Sequence, residues 1–145
     1  MSFRYETHLH TAPVSKCAKV SVEESLLFYK EMGYDGVELA GLYGKIPEEL
    51  KALAESVGLE IISAHTGLWE TRGMGAKAVA EQYRRAGCRY IAVASMADED
   101  RPNGANFEKA AAEIEELAEA CKAEGMTLLY HNHDFEFFVL PDGRF

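Results

Sequence analysis

Apolar residues recur along the chain in two alternating patterns. In the segment "IPEELKALAESVG", Leu50, Leu53, Ala54 and Val57 follow the i, i+3, i+4, i+7 spacing of a helix that buries one face. Segments such as "YIAVAS" are instead short apolar runs rich in β-branched and aromatic residues, which is typical of strands. The alternation predicts a chain built from strands and helices in turn.

Four strand-like segments begin with a glycine that ends the preceding helical pattern. They are "GYDGVELA", "GLEIISAH", "GCRYIAVAS" and "GMTLLYHNH", which begin at Gly33, Gly58, Gly87 and Gly125. Glycine suits this position because a helix commonly ends in the left-handed conformation. With "FRYETHLH" as the first strand, the sequence predicts five strands.

Four helices are predicted between these strands. The first, "SVEESLLFYKEMG", starts with a capping box formed by Ser21 and Glu24. The second is "IPEELKALAESVG", the third is a less regular helix around residues 74–86, and the fourth is "NFEKAAAEIEELAEACKAEG". Strands that alternate with helices imply parallel pairing through right-handed crossovers.

Five strands and four helices fit two α/β architectures: the first part of a (β/α)₈ TIM barrel, or an open flavodoxin-like sheet. A flavodoxin-like fold would finish with a fifth helix. Here "FEFFVL" continues as an apolar run and meets a Pro-Asp-Gly turn signal, with only Arg144 and Phe145 beyond it. We therefore expect residues 1–145 to form a single domain, the amino-terminal portion of a barrel truncated after the fifth strand, with the open sheet as the alternative.

Composition and charge limit the partners that the protein can bind and the cellular location that we expect for it. The chain has 145 residues and a formal net charge of −9, which disfavours binding to a nucleic acid backbone. No apolar run is long enough for a membrane span or a signal peptide, so we expect a cytoplasmic protein. Cys17, Cys88 and Cys121 are odd in number and widely spaced, which indicates reduced thiols.

All the histidines fall at the carboxyl ends of predicted strands. His8 and His10 end the first strand, His65 ends the third, and His131 and His133 end the fifth. Ligands of parallel α/β sheets bind at this edge. A single histidine there is most often a hydrogen-bonded surface residue, but five at one edge favour a shared polar site.

Two further side chains are predicted at the same edge. Glu38 ends the second strand and Trp69 follows the third, although each alone is as typical of surface or packing positions. Because neighbouring strands lie about 4.8 Å apart, we expect His8, Glu38, His65 and His133 to cluster within about 15 Å.

The motifs "GYDGVELAGLYG", "ISAHTG" and especially "GMTLLYHNHDFEF" resemble the sugar phosphate isomerase/epimerase group of the xylose isomerase-like TIM barrels. The resemblance implies a barrel that holds a divalent metal, often Mn²⁺, Mg²⁺, Co²⁺ or Zn²⁺, at its carboxyl mouth. It also implies a sugar or sugar phosphate that is isomerised, epimerised, dehydrated or cleaved. Isomerisation and epimerisation need a base for a proton next to a carbonyl and a group that stabilises the enediolate.

Roles at the site follow from the resemblance. His131 occupies the place of a glutamate that is both metal ligand and base in many relatives, and Glu136 is five positions on. The resemblance therefore implies catalytic and metal-binding roles for His131 and Glu136. The remaining residues of the expected site are assigned to substrate binding: His8, His10, Glu38, His65, Trp69, Asn132 and His133.

The resemblance also implies that other metal ligands come from strands six to eight, which this chain does not contain. The first hypothesis is therefore an isomerase/epimerase fragment that is inactive alone. The alternatives are a half barrel that binds sugar or metal without catalysis, a keto-sugar lyase or dehydratase relative, and an open α/β domain with incidental histidines.

An incomplete barrel would leave apolar surface without cover. Alternation along the strands places Leu59, Ile61 and Leu129 on the lumen face, and "FEFFVL" adds an apolar tail. We therefore expect a homodimer or higher oligomer.

Overall fold

The computed structural model describes residues 8–10, 21–139 and 143, with the backbone alone for residues 8–10. The strands of this part of the chain are β1 (His8–His10), β2 (Gly36–Leu39), β3 (Glu60–Gly67), β4 (Tyr90–Ser95) and β5 (Thr127–Tyr130). The helices are α1 (Val22–Glu31), α2 (Pro47–Ser56), α3 (Leu68–Met74), α4 (Ala76–Arg85) and α5 (Phe107–Ala123). Short 3₁₀ turns lie at Asp98–Asp100 and Phe135–Phe137.

The strands form one parallel sheet in the order β1-β2-β3-β4-β5. A flavodoxin-like sheet would place β1 between β2 and β3. Here β2 pairs directly with β3, and Val37 lies opposite Ile61. The flavodoxin-like alternative is therefore wrong, and the consecutive order of a partial (β/α)₈ barrel is confirmed. The described strands do not close into a barrel.

The helices differ in number from the prediction. The helix predicted around residues 74–86 corresponds to α4, but an unpredicted helix, α3, precedes it, so the described residues contain five helices rather than four. The break between α3 and α4 is at Gly75, whose φ of +88° is left-handed and suits glycine. The predicted capping box of α1 is confirmed: Glu24 N donates to Ser21 Oγ at 3.2 Å, and Ser21 N donates to Glu24 Oε2 at 2.9 Å.

The hydrophobic core lies between the helices and one face of the sheet. Strand residues and helix residues contribute to it together, among them Val37, Leu39, Ile61, Ala64, Ile91, Val93, Leu26, Leu50, Val79 and Leu117. Cys88 and Cys121 are buried free thiols, and Cys17 lies outside the described residues. None of the helices that the structure describes has the length and apolar character needed to cross a membrane.

A β-bulge in β3 decides which side chains face the core. Val37 lies opposite Ile61, but the next residue of β2, Glu38, lies opposite Ser63, so Ile62 is an extra residue. Such a bulge interrupts the alternation of side chains between the two faces of a strand. Ile61 therefore packs on the helix side, whereas Ser63 and His65 lie beside Glu38 on the other side.

The bulge overturns part of the predicted lumen face. Leu59 and Ile61 were expected there from strict alternation of side chains along the strand. They are instead 2% and 4% exposed and belong to the helix-facing core. Leu129 is 42% exposed and lies on the open face, beside Ala92.

Candidate functional site

The carboxylate of Glu38, at the carboxyl end of β2, is held by two side chains of β3. Glu38 Oε1 lies 2.9 Å from His65 Nε2, and Glu38 Oε2 accepts a hydrogen bond from Ser63 Oγ at 2.6 Å. The side chains of His65 and Glu38 are 17% and 12% exposed. Because an ionised carboxylate only accepts hydrogen bonds, the proton of the imidazole lies on Nε2 in this pair.

Planar groups continue in a row from His65 across the carboxyl edge of the sheet. The ring centroids of His65 and His131 lie 4.8 Å apart, and those of His131 and His133 lie 5.0 Å apart. The ring of His133 stacks on Phe135 at 5.5 Å, and the guanidinium of Arg101 lies 4.3 Å from the centroid of the Phe135 ring. The rings of three strand-end histidines, His65, His131 and His133, thus contact one another in succession.

A cleft of about 370 Å³ opens at this edge, and we call it the histidine cleft. Its lining consists of Glu38, His65, Ala92, Leu129, Tyr130, His131 and Asn132. A larger cavity of about 460 Å³ lies at the amino ends of the strands, near Asp35 and Glu60. Ligands of parallel barrels bind at the carboxyl ends, and the amino ends serve stability. The histidine cleft is therefore the candidate site despite its smaller volume.

Glu136 is held away from the histidine cleft. Tyr130 Oη donates to Glu136 Oε1 at 2.5 Å, and the backbone N–H of His133 donates to Oε2 at 2.7 Å. Burial opposes ionisation, but these hydrogen bonds outweigh it and lower the pKa of Glu136. The side chain lines a separate, mainly apolar cleft with Met96, Phe107, Ile114 and other residues of α5 and its neighbours.

The ligand set for a divalent metal is incomplete in this part of the chain. Among residues 21–139, no group of three His, Cys, Asp or Glu side chains is arranged to hold a metal ion. His131 lines the histidine cleft, whereas Glu136 lines the adjacent one. The residues present therefore do not fit a complete metal centre.

The backbone register places the two histidines of β1 at different heights of the sheet. His10 pairs with Glu38 of the site, whereas His8 pairs with Gly36, the first residue of β2, and nothing is described of either side chain. Trp69, in the first turn of α3, is 70% exposed and does not line the histidine cleft. Its indole lies over Gly67, where an added Cβ would be 2.5 Å from Trp69 Nε1.

Replacing Gly67 should therefore displace the indole. We expect Gly67→Ala to abolish the tryptophan band in the near-ultraviolet circular dichroism spectrum, since the new methyl group would overlap the ring. Trp69 is the only tryptophan of the chain, so the band is specific. Gly73→Ala is the control because an added Cβ there meets no atom within 4 Å. An unchanged band in Gly67→Ala would contradict the contact.

Two residues of the site were not predicted from the sequence. Ser63 lies two residues before His65, and strict alternation would have placed it on the same face. Tyr130 directly precedes the "HNH" motif, lines the histidine cleft and holds Glu136. The sequence carries no signal for the contact between Tyr130 and Glu136, because that contact depends on the turn at Phe135–Phe137.

Known proteins share this architecture. A family model described as xylose isomerase-like TIM barrel matches residues 26–141. The chain is similar to a sugar phosphate isomerase/epimerase from Parabacteroides distasonis, with a TM-score of 0.75 and 18% identity over 93% of this chain and 54% of that one. It is also similar to a family 2 AP endonuclease from Brucella melitensis, with a TM-score of 0.69 and 15% identity over 86% of this chain and 54% of that one.

A third similar structure is a fusion of a xylose isomerase-like TIM barrel with a 4-hydroxyphenylpyruvate dioxygenase. Its TM-score is 0.65 and its identity is 15%, over 87% of this chain and 22% of that one. No curated protein matches the sequence significantly. The chain thus spans about half the length of the sugar phosphate isomerase/epimerase and of the AP endonuclease.

Proposed function

The chain belongs to the xylose isomerase-like TIM barrel family, and we propose that it forms the amino-terminal wall of a sugar or sugar phosphate site. The observation that carries the proposal is the Glu38–His65 pair beside His131 in the histidine cleft. A carboxylate and imidazoles at one edge suit a polyhydroxylated ligand, because its hydroxyl groups both donate and accept hydrogen bonds.

The proposed reaction class is isomerisation or epimerisation in the complete barrel. A base removes the proton from a carbon next to the carbonyl, and the proton returns either to the neighbouring carbon or to the opposite face of the same carbon. We propose His131 and Glu136 as the acid–base and metal-binding candidates. The substrate-binding candidates are Glu38, His65, His133 and Asn132, together with His8, His10 and Trp69.

Divalent metal dependence is proposed for the complete barrel only. The described residues do not complete a metal centre, and the enediolate needs such electrostatic stabilisation. We therefore propose that the 145-residue chain binds a sugar but does not turn it over. A half barrel without catalytic function would bind sugar in the same way as an isomerase fragment. A keto-sugar lyase or dehydratase would differ from an isomerase in the products that the complete barrel forms.

Nucleic acid is not part of the proposed function. The net charge of −9 would repel a phosphate backbone, and the similarity to an AP endonuclease at 15% identity concerns the fold. We propose a cytoplasmic protein that acts on small molecules. The chain should leave the mobility of duplex DNA with an abasic site unchanged, even at low salt.

Ketose binding tests the proposed function. Ketopentoses and their phosphates should shift the NMR signals of the His65 and His131 rings, and Glu38→Gln should weaken binding by about tenfold or more, because it removes a charged acceptor. Asp98→Asn is the control, since the side chain of Asp98 is 87% exposed and lies outside the cleft. Shifts that are absent in the wild-type chain would refute sugar binding.

The same samples test the expected lack of turnover. With added Mn²⁺ or Mg²⁺, we expect no isomerised or epimerised product and no exchange of the proton next to the carbonyl in D₂O, because the described residues do not form a complete metal centre. Robust turnover that disappears in Glu136→Gln would show that the site is complete in this chain.

We also propose that the chain forms a homodimer or higher oligomer. Within the described residues, β5 pairs with β4 alone, so its outer edge has no partner strand. Large apolar side chains at and beyond this edge are exposed, namely those of Leu129, Tyr130, Phe137, Phe138 and Val139. The proposed interface consists of the open face or edges of the sheet and residues 135–145.

A further inference from the structure

Ser63 lies in the β-bulge of β3, at the base of the candidate site. Its side chain is buried, with 3% exposure, and its hydroxyl donates to Glu38 Oε2 at 2.6 Å. Without the extra residue in β3, Glu38 would lie opposite Ile62, which has no hydrogen-bonding side chain. The bulge therefore brings the serine hydroxyl, instead of an alkyl group, to the carboxylate.

We propose that Ser63 is a positioning residue that fixes the Glu38 carboxylate against His65. The ligand of the positioned pair rests on the proposed function, whereas the positioning itself is inferred from the contacts among Ser63, Glu38 and His65. Ser63 and His65 are two residues apart on one strand, so their side chains project from the same face. One strand thus holds both oxygens of a single carboxylate, Oε2 through Ser63 and Oε1 through His65.

The physical effect is preorganisation. A glutamate side chain has three rotatable bonds, so ordering it costs conformational entropy. A hydrogen bond from a hydroxyl to a carboxylate is charge-assisted and is stronger than one between neutral groups. Because Ser63 orders Glu38 in the folded protein, the ordering does not have to accompany ligand binding.

Ser63→Ala tests the inference through the imidazole of His65. Loss of the hydroxyl should let the Glu38 carboxylate rotate, so the Nε2–H proton of His65 should exchange with water on the order of tenfold faster in NMR spectra at constant pH. Ketose affinity should fall by a similar factor. Ser63→Thr keeps a hydroxyl and should restore both properties.

Ser25→Ala is the matched control. Ser25 is also a buried serine, 7% exposed, and its hydroxyl donates to the carbonyl of Ser21 at 2.8 Å, outside the site. We expect this variant to leave the His65 exchange rate and ketose affinity unchanged. If Ser63→Ala fails to fold, Ser63→Cys keeps the volume and a weaker donor, and its exchange rate should lie above that of the wild type.

The outcomes separate the two proposals. Unchanged His65 exchange in a folded Ser63→Ala or Ser63→Cys variant would overturn the positioning role, whether or not sugars bind. Faster exchange in the variant together with no ketose binding by the wild-type chain would refute the proposed function and leave the positioning role supported.

Discussion

Asp100→Asn should lower the free energy of unfolding by about 2–3 kcal/mol, because it breaks a buried ion pair. Asp100 is 1% exposed and accepts two hydrogen bonds from Arg72, at 2.8 Å and 2.9 Å. Arg72 also contacts Glu113, so the pair joins α3, the Asp98–Asp100 turn and α5. This loss is smaller than the roughly 3–5 kcal/mol expected when a fully buried pair is broken, because the side chain of Arg72 is 35% exposed and still pairs with Glu113 in the variant.

Urea denaturation measures this effect, with Asp98→Asn as the control. Asp98 lies in the same turn, but its side chain is 87% exposed and pairs with Arg101 three residues away. Exposed pairs of this kind contribute about 0–1 kcal/mol. Equal losses of stability in the two variants would contradict a special role for the buried pair.

The same ion pair gives a dependence of stability on pH. Hydrogen bonds from Arg72 lower the pKa of Asp100 below its ordinary value of 3.8. A carboxyl group with a lowered pKa in the folded state stabilises the protein above its unfolded pKa, and this stability is lost as the pH falls through the folded pKa. The difference between the wild type and Asp100→Asn should therefore be constant from pH 5 to 7 and shrink below about pH 4.

The order of elements was predictable because its signals are local. Each glycine that ends a helix, the Ser21–Glu24 capping box and the apolar spacing of α2 and α5 act within a few residues. The choice between a barrel and a flavodoxin-like sheet was less certain, since it depends on which strand lies beside β2. The structure settles it through the pairing of Val37 with Ile61.

The face of each β3 side chain was not predictable, because a bulge leaves no clear trace in the sequence. Ile62 is apolar and β-branched like Ile61, and nothing in "EIISAH" distinguishes the extra residue. Counting back from His65 gives the correct face for Ser63 and the wrong face for Ile61 and Leu59. The same bulge creates the contact between Ser63 and Glu38, so the failed prediction and the unpredicted site residue have one cause.

The direction of Glu136 also lay beyond the sequence. Its spacing from His131 made it a candidate for the same site, but the turn at Phe135–Phe137 brings its carboxylate to Tyr130 Oη and His133 N. The helix α3 (Leu68–Met74) was also not predicted, and Gly75 separates it from α4. A glycine within a helical pattern is compatible with either a continuous helix or a break, and only the left-handed φ of Gly75 decides it.

The chain should sediment as a homodimer or higher oligomer at micromolar concentration. Phe137, Phe138 and Val139 are 63%, 62% and 59% exposed, and they follow β5, whose outer edge has no partner strand among the described residues. Contiguous apolar surface beside an open edge favours association, either by strand pairing or by mutual cover of the open faces. Two-fold association is the commonest symmetric form, and a stable interface of this kind buries roughly 1,200 Å² or more.

Phe138→Asp should shift the equilibrium strongly towards monomer, because the interface would have to bury a carboxylate without a partner. Phe28→Asp is the matched control: Phe28 is 54% exposed on α1, outside β5 and residues 135–145, so its replacement should leave the association unchanged. Sedimentation equilibrium of the wild type and both variants gives the test. A folded wild-type monomer, or equal behaviour of the two variants, would show that residues 135–145 and the edge of β5 do not form the interface.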